Sequence, residues 1–191
     1  RLAPHYGDDF WFLSYHALAL AEDGQLAAAR PMIERSVAAN PNNAHGAHGY
    51  AHVCYESGDL AAARAYLSQW LATYPDDGFF HGHLSWHLSL CELQAGNWAE
   101  CLRLFADGIV LDRHSGGPQQ KVSDATAFLW RSELAGHPRD TAAWRRIAEY
   151  AGTALPRPGS GLADLHVILT QAVMGDDAAL DARARQMEAL A

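Results

Sequence analysis

The chain of 191 residues is 49% hydrophobic and only 19% charged, a composition that can bury a sizeable core and argues against disorder. Its 14 Lys and Arg stand against 22 Asp and Glu, and a formal charge of −8 excludes the basic stripe that nucleic acid requires. No apolar run approaches the roughly 20 residues of a membrane span, and three cysteines without a CxxC pair suggest neither a disulfide framework nor a thiolate zinc site. A cytoplasmic protein without nucleic-acid or membrane partners is expected, and the start at Arg1 suggests a piece of a longer chain.

Periodicity and turn residues place helices at 9–22, 26–39, 44–57, 60–73, 78–95, 98–111, 123–135, 140–154, 161–174 and 177–190, and no segment calls for a strand. The first four repeat one another. Residues 18–43 superimpose on 52–77 at an offset of 34, carrying Gly24 onto Gly58 and Pro41 onto Pro75, and this is the tetratricopeptide period. Each unit is a helix, a turn at glycine, an alanine-rich second helix and a proline-bearing loop. Ala29 and Ala63 would let the paired helices approach, with Ile33 and Leu67 filling the groove between them. Beyond residue 78 the turn glycines Gly96, Gly136 and Gly175 follow at steps of 38, 40 and 39, so the repeats stretch. The expectation is an all-α solenoid of about five helix pairs in one domain, regular over 9–77 and degenerate over 78–191. Two polar Gly/Pro-rich insertions, 114–122 and 155–160, are expected as loops outside the core.

The first helix of each pair carries the unusual chemistry. Counting back 13, 10, 6 and 3 residues from each turn glycine, the inner wall of the solenoid collects Trp11, His45 and His83; His48 and Trp86; His52 and Trp130; and Tyr55 and Glu133. Such a wall suits a small molecule or short peptide better than an acidic peptide tail, which would want Lys, Arg and Asn. HxxxH occurs twice, as His48/His52 and His83/His87, and imidazoles at i, i+4 can share one divalent ion with a carboxylate such as Glu56 or Glu92. No HExxH accompanies them, so the spacing supplies no general base. The plainer alternative is that these histidines are hydrogen-bonded packing residues. Trp70, Trp98 and Trp144 read as packing, and Cys54 and Cys91 as buried, inert thiols.

Four motifs carry a resemblance: HGYAHVCYESG (48–58), HLSWHLSLCELQAG (83–96), DATAFLWRSELAG (124–136) and LADLHVILTQAVMG (162–175). In that order their HxxxHV, HxxWHxxL, DAxxxLWR and DxH elements resemble the signatures of the tetratricopeptide repeat protein 38 family, in bacterial form, over nearly the whole chain. The resemblance implies a helical repeat fold and nominates His48, His52, His83, Trp86, His87, Asp124, Trp130, Arg131, Asp164 and His166 as signature residues. It also implies that this chain covers the middle and C-terminal repeats of a longer protein. Where the family has an aromatic residue, this chain has His45.

Three functions follow from these residues. The leading one is a binding module whose His/Trp-lined groove takes a small molecule or short peptide, with Arg131 anchoring an anion unless it pairs with Asp124 or Glu133. The second is a metal-dependent or histidine-based enzyme using the same groove; no nucleophile elbow, phosphate loop or dinucleotide fingerprint supports it. The third is a protein-interaction scaffold, with homo-oligomers joined through terminal helices that expose Phe10, Trp11 and Phe12 as one form of it.

Overall fold

The computed structural model describes residues 2–190. Eleven α-helices and one π-helical segment follow one another, with no strand among the described residues. They are α1 (Ala3–Tyr6), α2 (Phe10–Glu22), α3 (Leu26–Ala39), α4 (Ala44–Glu56), α5 (Leu60–Leu71), α6 (His81–Gln94), α7 (Trp98–Leu104) running into the π segment (Phe105–Ile109), α8 (Pro118–Leu134), α9 (Thr141–Ala154), α10 (Gly161–Met174) and α11 (Asp177–Glu188). None of these helices is long and apolar enough to cross a membrane.

One turn, repeated five times, makes the helix pairs. Gly24, Gly58, Gly96, Gly136 and Gly175 all have φ between 68° and 91°, a left-handed conformation that only glycine adopts cheaply. Each is followed by an amide that bonds five residues back: Gln25 to Leu20, Asp59 to Cys54, Asn97 to Glu92, His137 to Ser132 and Asp176 to Gln171. That bond satisfies a carbonyl the ending helix would leave open, the mark of a Schellman turn. The second helix often starts at once on an aspartate cap, as where Asp59 accepts from Ala62, Asp140 from Ala143 and Asp176 from Ala179. The result is an all-α helical repeat solenoid of five pairs, α2/α3 to α10/α11.

Small residues set the spacing within a pair. Ala29, Ala63, Ile33 and Leu67 are all fully buried. The first helices of successive pairs also touch one another, α2 on α4, α4 on α6, α6 on α8 and α8 on α10. This row of first helices positions the site. Beneath it one apolar cluster runs from Ala47 in α4 to Val167 in α10, and a smaller one around Ile33 fills the first pair.

Three local expectations are corrected. The helix expected at 98–111 ends at Leu104 and widens into the π segment. The helix expected from residue 123 begins at Pro118, whose fixed φ and missing N–H suit a first turn. The insertion 114–122 is therefore not a solvent loop: His114 has no exposed side-chain surface and Val122 lies in the core. Glycines make room for it. A Cβ on Gly82 would stand 2.7 Å from both the Gly108 carbonyl oxygen and the His114 ring, so α6 accepts the π segment and His114 only because that side chain is absent. At the N-terminus, Tyr6 of α1 stacks on Phe12 at 5.0 Å, and Tyr6, Trp11 and Tyr15 are the exposed aromatics there.

Candidate functional site

The i, i+4 spacing puts His48 and His52 on one face of α4, and His83 and His87 on one face of α6, and the contact of these helices brings the faces together. The four rings point the same nitrogen inward. Nε2 of His48 lies 3.0 Å from Nε2 of His52 and 3.0 Å from that of His83, and Nε2 of His87 lies 3.3 Å from that of His83. Among the described residues, His48, His83 and His87 each offer a ligand atom, all within 4.8 Å of one another, as a metal ion requires. His52 stands beside this trio, its Nε2 on that of His48 and its ring 4.7 Å from that of His87.

The outer nitrogens are held by carboxylates. Nδ1 of His83 lies 2.8 Å from Oδ2 of Asp124 on α8, and Nδ1 of His52 lies 2.9 Å from Oε1 of Glu22 on α2. A carboxylate only accepts, so both rings carry a proton on Nδ1 and, when neutral, turn a bare Nε2 toward the cluster. Asp124 has a second imidazole partner, His114, whose Nε2 lies 2.9 Å from the same oxygen. The Gly116 amide donates to Nδ1 of His114 at 2.9 Å, which leaves Nε2 of that ring as the donor to Asp124. Gly116 thus donates to His114, and Asp124 accepts from His114 on one side and from His83 on the other.

Burial holds three of the four imidazoles, His48, His52 and His87, toward the neutral form. It pushes His48 down to about 2, with the neighbouring imidazoles adding to the effect, and holds His87 well below its ordinary value for the same reasons. His52 is also lowered by burial, against the pull of Glu22. Burial opposes the Asp124 carboxylate, but its bonds to His114 and His83 outweigh that and hold it below the usual aspartate range.

Rings extend the site on both sides. His45 contacts Trp11 at 4.5 Å and Phe80 at 4.7 Å, and the Tyr15 hydroxyl lies 3.1 Å from Nε2 of His45. Phe80 continues to His48 and His83, His83 stacks on Trp86 at 5.5 Å, and the Arg131 guanidinium lies over Trp86 at 5.8 Å. A wall of aromatic and imidazole rings therefore runs from α2 through α4 to α6, with Arg131 of α8 at one end and Trp11 and Tyr15 about half exposed at the other. Trp86 Nε1 is buried without a hydrogen-bond partner.

The other sequence-nominated residues divide. Arg131 pairs with neither Asp124 nor Glu133; Glu133 is held instead by Arg139 and by the indole N–H of Trp144. Trp130 packs against the hydrophobic core. Asp164 and His166 are not brought to the cluster by any hydrogen bond. Asp164 is buried against Arg183 of α11 at 2.5 Å and accepts the Gly159 and Ser160 amides, while His166 bonds the Leu162 carbonyl one turn back. Glu92 is also committed elsewhere, to Arg64 and Asn97, and neither it nor Glu56 is hydrogen-bonded to an imidazole. The carboxylates that serve the histidines are Asp124 and Glu22. Sequence reasoning missed Glu22 and His114 as partners; the only signal for His114 was a histidine just upstream of a signature aspartate. The thiols are inert in place, burial pushing Cys91 and Cys101 up to about 11. A separate cleft of about 540 Å³, lined by Tyr74, Asp76, His81, Arg103, Asp107 and Arg113, shares none of the nominated residues.

The recurrent glycine turn and the stacked helix pairs define a helical repeat protein of the tetratricopeptide type. Residues 20–82 match the tetratricopeptide repeat family model. That segment runs from α2 to the start of α6, is a protein-interaction repeat, and holds His48 and His52 but stops just short of His83. No solved structure matches the chain.

Proposed function

We propose that this chain is a tetratricopeptide-type binding module whose histidine and tryptophan face takes a small molecule or short peptide. The observation that carries the reading is the unbroken run of ring contacts from Trp11 of α2 through His45 of α4, Phe80 at the start of α6 and His83 to Trp86, closed by the Arg131 guanidinium of α8. Packing needs only size and apolarity, whereas this face has polar ring atoms, exposed aromatic ends and a single guanidinium at its far end. The fitting ligand lays a planar or apolar group on the rings and offers an anionic group to Arg131. The signature motifs over residues 48–175 support placing the chain with the tetratricopeptide repeat protein 38 family.

Saturation-transfer NMR with a panel of small aromatic carboxylates tests this. Binding is expected in the wild type and should weaken roughly threefold to tenfold in Trp11→Ala or Trp86→Ala, the size of a lost aromatic contact. Hits that bind both variants as tightly as the wild type would refute the ring face as the site.

A further inference from the structure

We infer that the imidazole cluster is a binding site for one divalent transition-metal ion, ligated by Nε2 of His48, His83 and His87, with Asp124 as the positioning residue behind His83. The inference rests on the reading of this face as a ligand site and names the part of the ligand that the histidines hold.

Geometry gives the first argument. Four-coordinate zinc binds imidazole nitrogen at about 2.0–2.1 Å, which sets neighbouring ligand nitrogens about 3.3 Å apart. The Nε2 separations of His83 to His48, 3.0 Å, and His83 to His87, 3.3 Å, are of that size. Packed imidazoles have no reason to converge through the same atom.

Proton counting gives the second. Asp124 and Glu22 fix protons on the outer nitrogens of His83 and His52, so both turn lone pairs inward, and both lone pairs face the Nε2 of His48. One proton on His48 can be aimed at only one of them. The other lone pair is then left without a donor, and with the His48 proton on Nδ1 both contacts set lone pair against lone pair at 3.0 Å, an arrangement that a cation resolves.

Charge gives the third. Asp124 is 3% exposed, and among the described residues its partners are two imidazoles and no Lys or Arg. A buried carboxylate needs a counter-charge. A dication bound through His83 supplies it, and the Nδ1–H to carboxylate bond is the arrangement that orients and strengthens a histidine ligand. Three imidazole nitrogens with no thiolate suit zinc, nickel, copper or iron rather than calcium or magnesium. Three protein ligands leave a fourth position for water or a group of the ligand, and His52, held by Glu22, stands next to it.

The test is a cobalt(II) titration of chelator-stripped protein followed by visible absorption, with long-range proton–nitrogen NMR of the imidazoles during a parallel zinc titration. One equivalent of cobalt should produce the intense bands of a four-coordinate ion, displaced by zinc. Zinc should shift the Nε2 resonances of His48, His83 and His87 and leave those of His5 and His166 in place. The bands should vanish in a His48→Ala/His83→Ala variant, and Asp124→Asn should weaken affinity about 10- to 100-fold with an unchanged far-ultraviolet circular dichroism spectrum. If the double variant fails to fold, the wild-type NMR titration decides alone. Folded wild-type protein that gains no cobalt bands, or a zinc titration that moves only exposed histidines, overturns the metal site. The carboxylate panel repeated on stripped protein separates the two readings, since binding retained there leaves the ring face standing without the metal.

Discussion

Asp124 and Asp164 occupy nearly matching places on the first helices of successive pairs and are 3% and 4% exposed, yet they are answered by different chemistry. Asp164 meets a permanent cation. Arg183 bonds it through Nε and Nη2, spends Nη1 on the Leu155 carbonyl, and two backbone amides complete its shell. That carboxylate is fully compensated, and its work is to fasten α11 onto α10. Asp124 meets only imidazoles, one of which carries its influence into the cluster of inward-facing nitrogens. The same residue type at the same depth has its charge matched by a guanidinium in one place and meets only imidazoles in the other.

The largest expected effect breaks the Asp164 side of this contrast. Arg183→Met leaves a buried carboxylate without its cation and should lower unfolding free energy by about 3–5 kcal/mol, read from urea denaturation. A second change, Asp164→Leu, made in that variant should recover most of the loss, because an apolar pair of similar volume removes the orphaned charge. Asp124→Asn keeps an acceptor oxygen and should cost less, about 1–3 kcal/mol. If it cost as much as Arg183→Met, the distinction between the two aspartates would fail.

Gly82→Ala should cost about 1–3 kcal/mol and, more tellingly, displace His114 from Asp124, since the new Cβ would meet a backbone oxygen that cannot yield. The imidazole resonances of His114 would report it. Acid sharpens the comparison next. Burial opposes ionisation of Asp164, but Arg183 and the Gly159 and Ser160 amides outweigh it, so both aspartates lie below the ordinary value of about 3.9. A carboxyl depressed by folding contributes stability that is complete above the unfolded value and is lost as pH falls through the folded one. Urea midpoints should therefore begin to fall below about pH 6.5, where His48, His52 and His87 take up protons in the unfolded chain but not in the folded one. They should fall further toward about pH 2 through the aspartates, with this last decline shallower in Arg183→Met than in the wild type. The smallest effect concerns Cys91 and Cys101, whose thiols should stay unreactive to a disulfide reagent at pH 8 until the protein is unfolded.

Much of this was legible in the sequence because it is local. The turn glycines and the alanine-rich second helices announced the pairs, and the i, i+4 histidines announced a common face. What could not be read joins residues far apart in the chain. Glu22 reaches His52 across one repeat, Asp124 reaches His83 across 41 residues, and Arg183 reaches Asp164 from the next helix. His114 was the hardest. It lies in a segment rich in glycine and glutamine, which composition assigns to solvent, and its burial depends on a π segment and on Gly82, neither of which leaves a periodic trace. The Asp164 motif gave no sign of Arg183, the partner through which it joins α10 to α11.

The most direct measurement is an anomalous difference map at the zinc edge from crystals grown with one equivalent of zinc. The account predicts a single strong peak bounded by Nε2 of His48, His83 and His87, with Nδ1 of His83 still on Asp124. Zinc found only at surface carboxylates, with the four Nε2 atoms still in mutual contact, would contradict it.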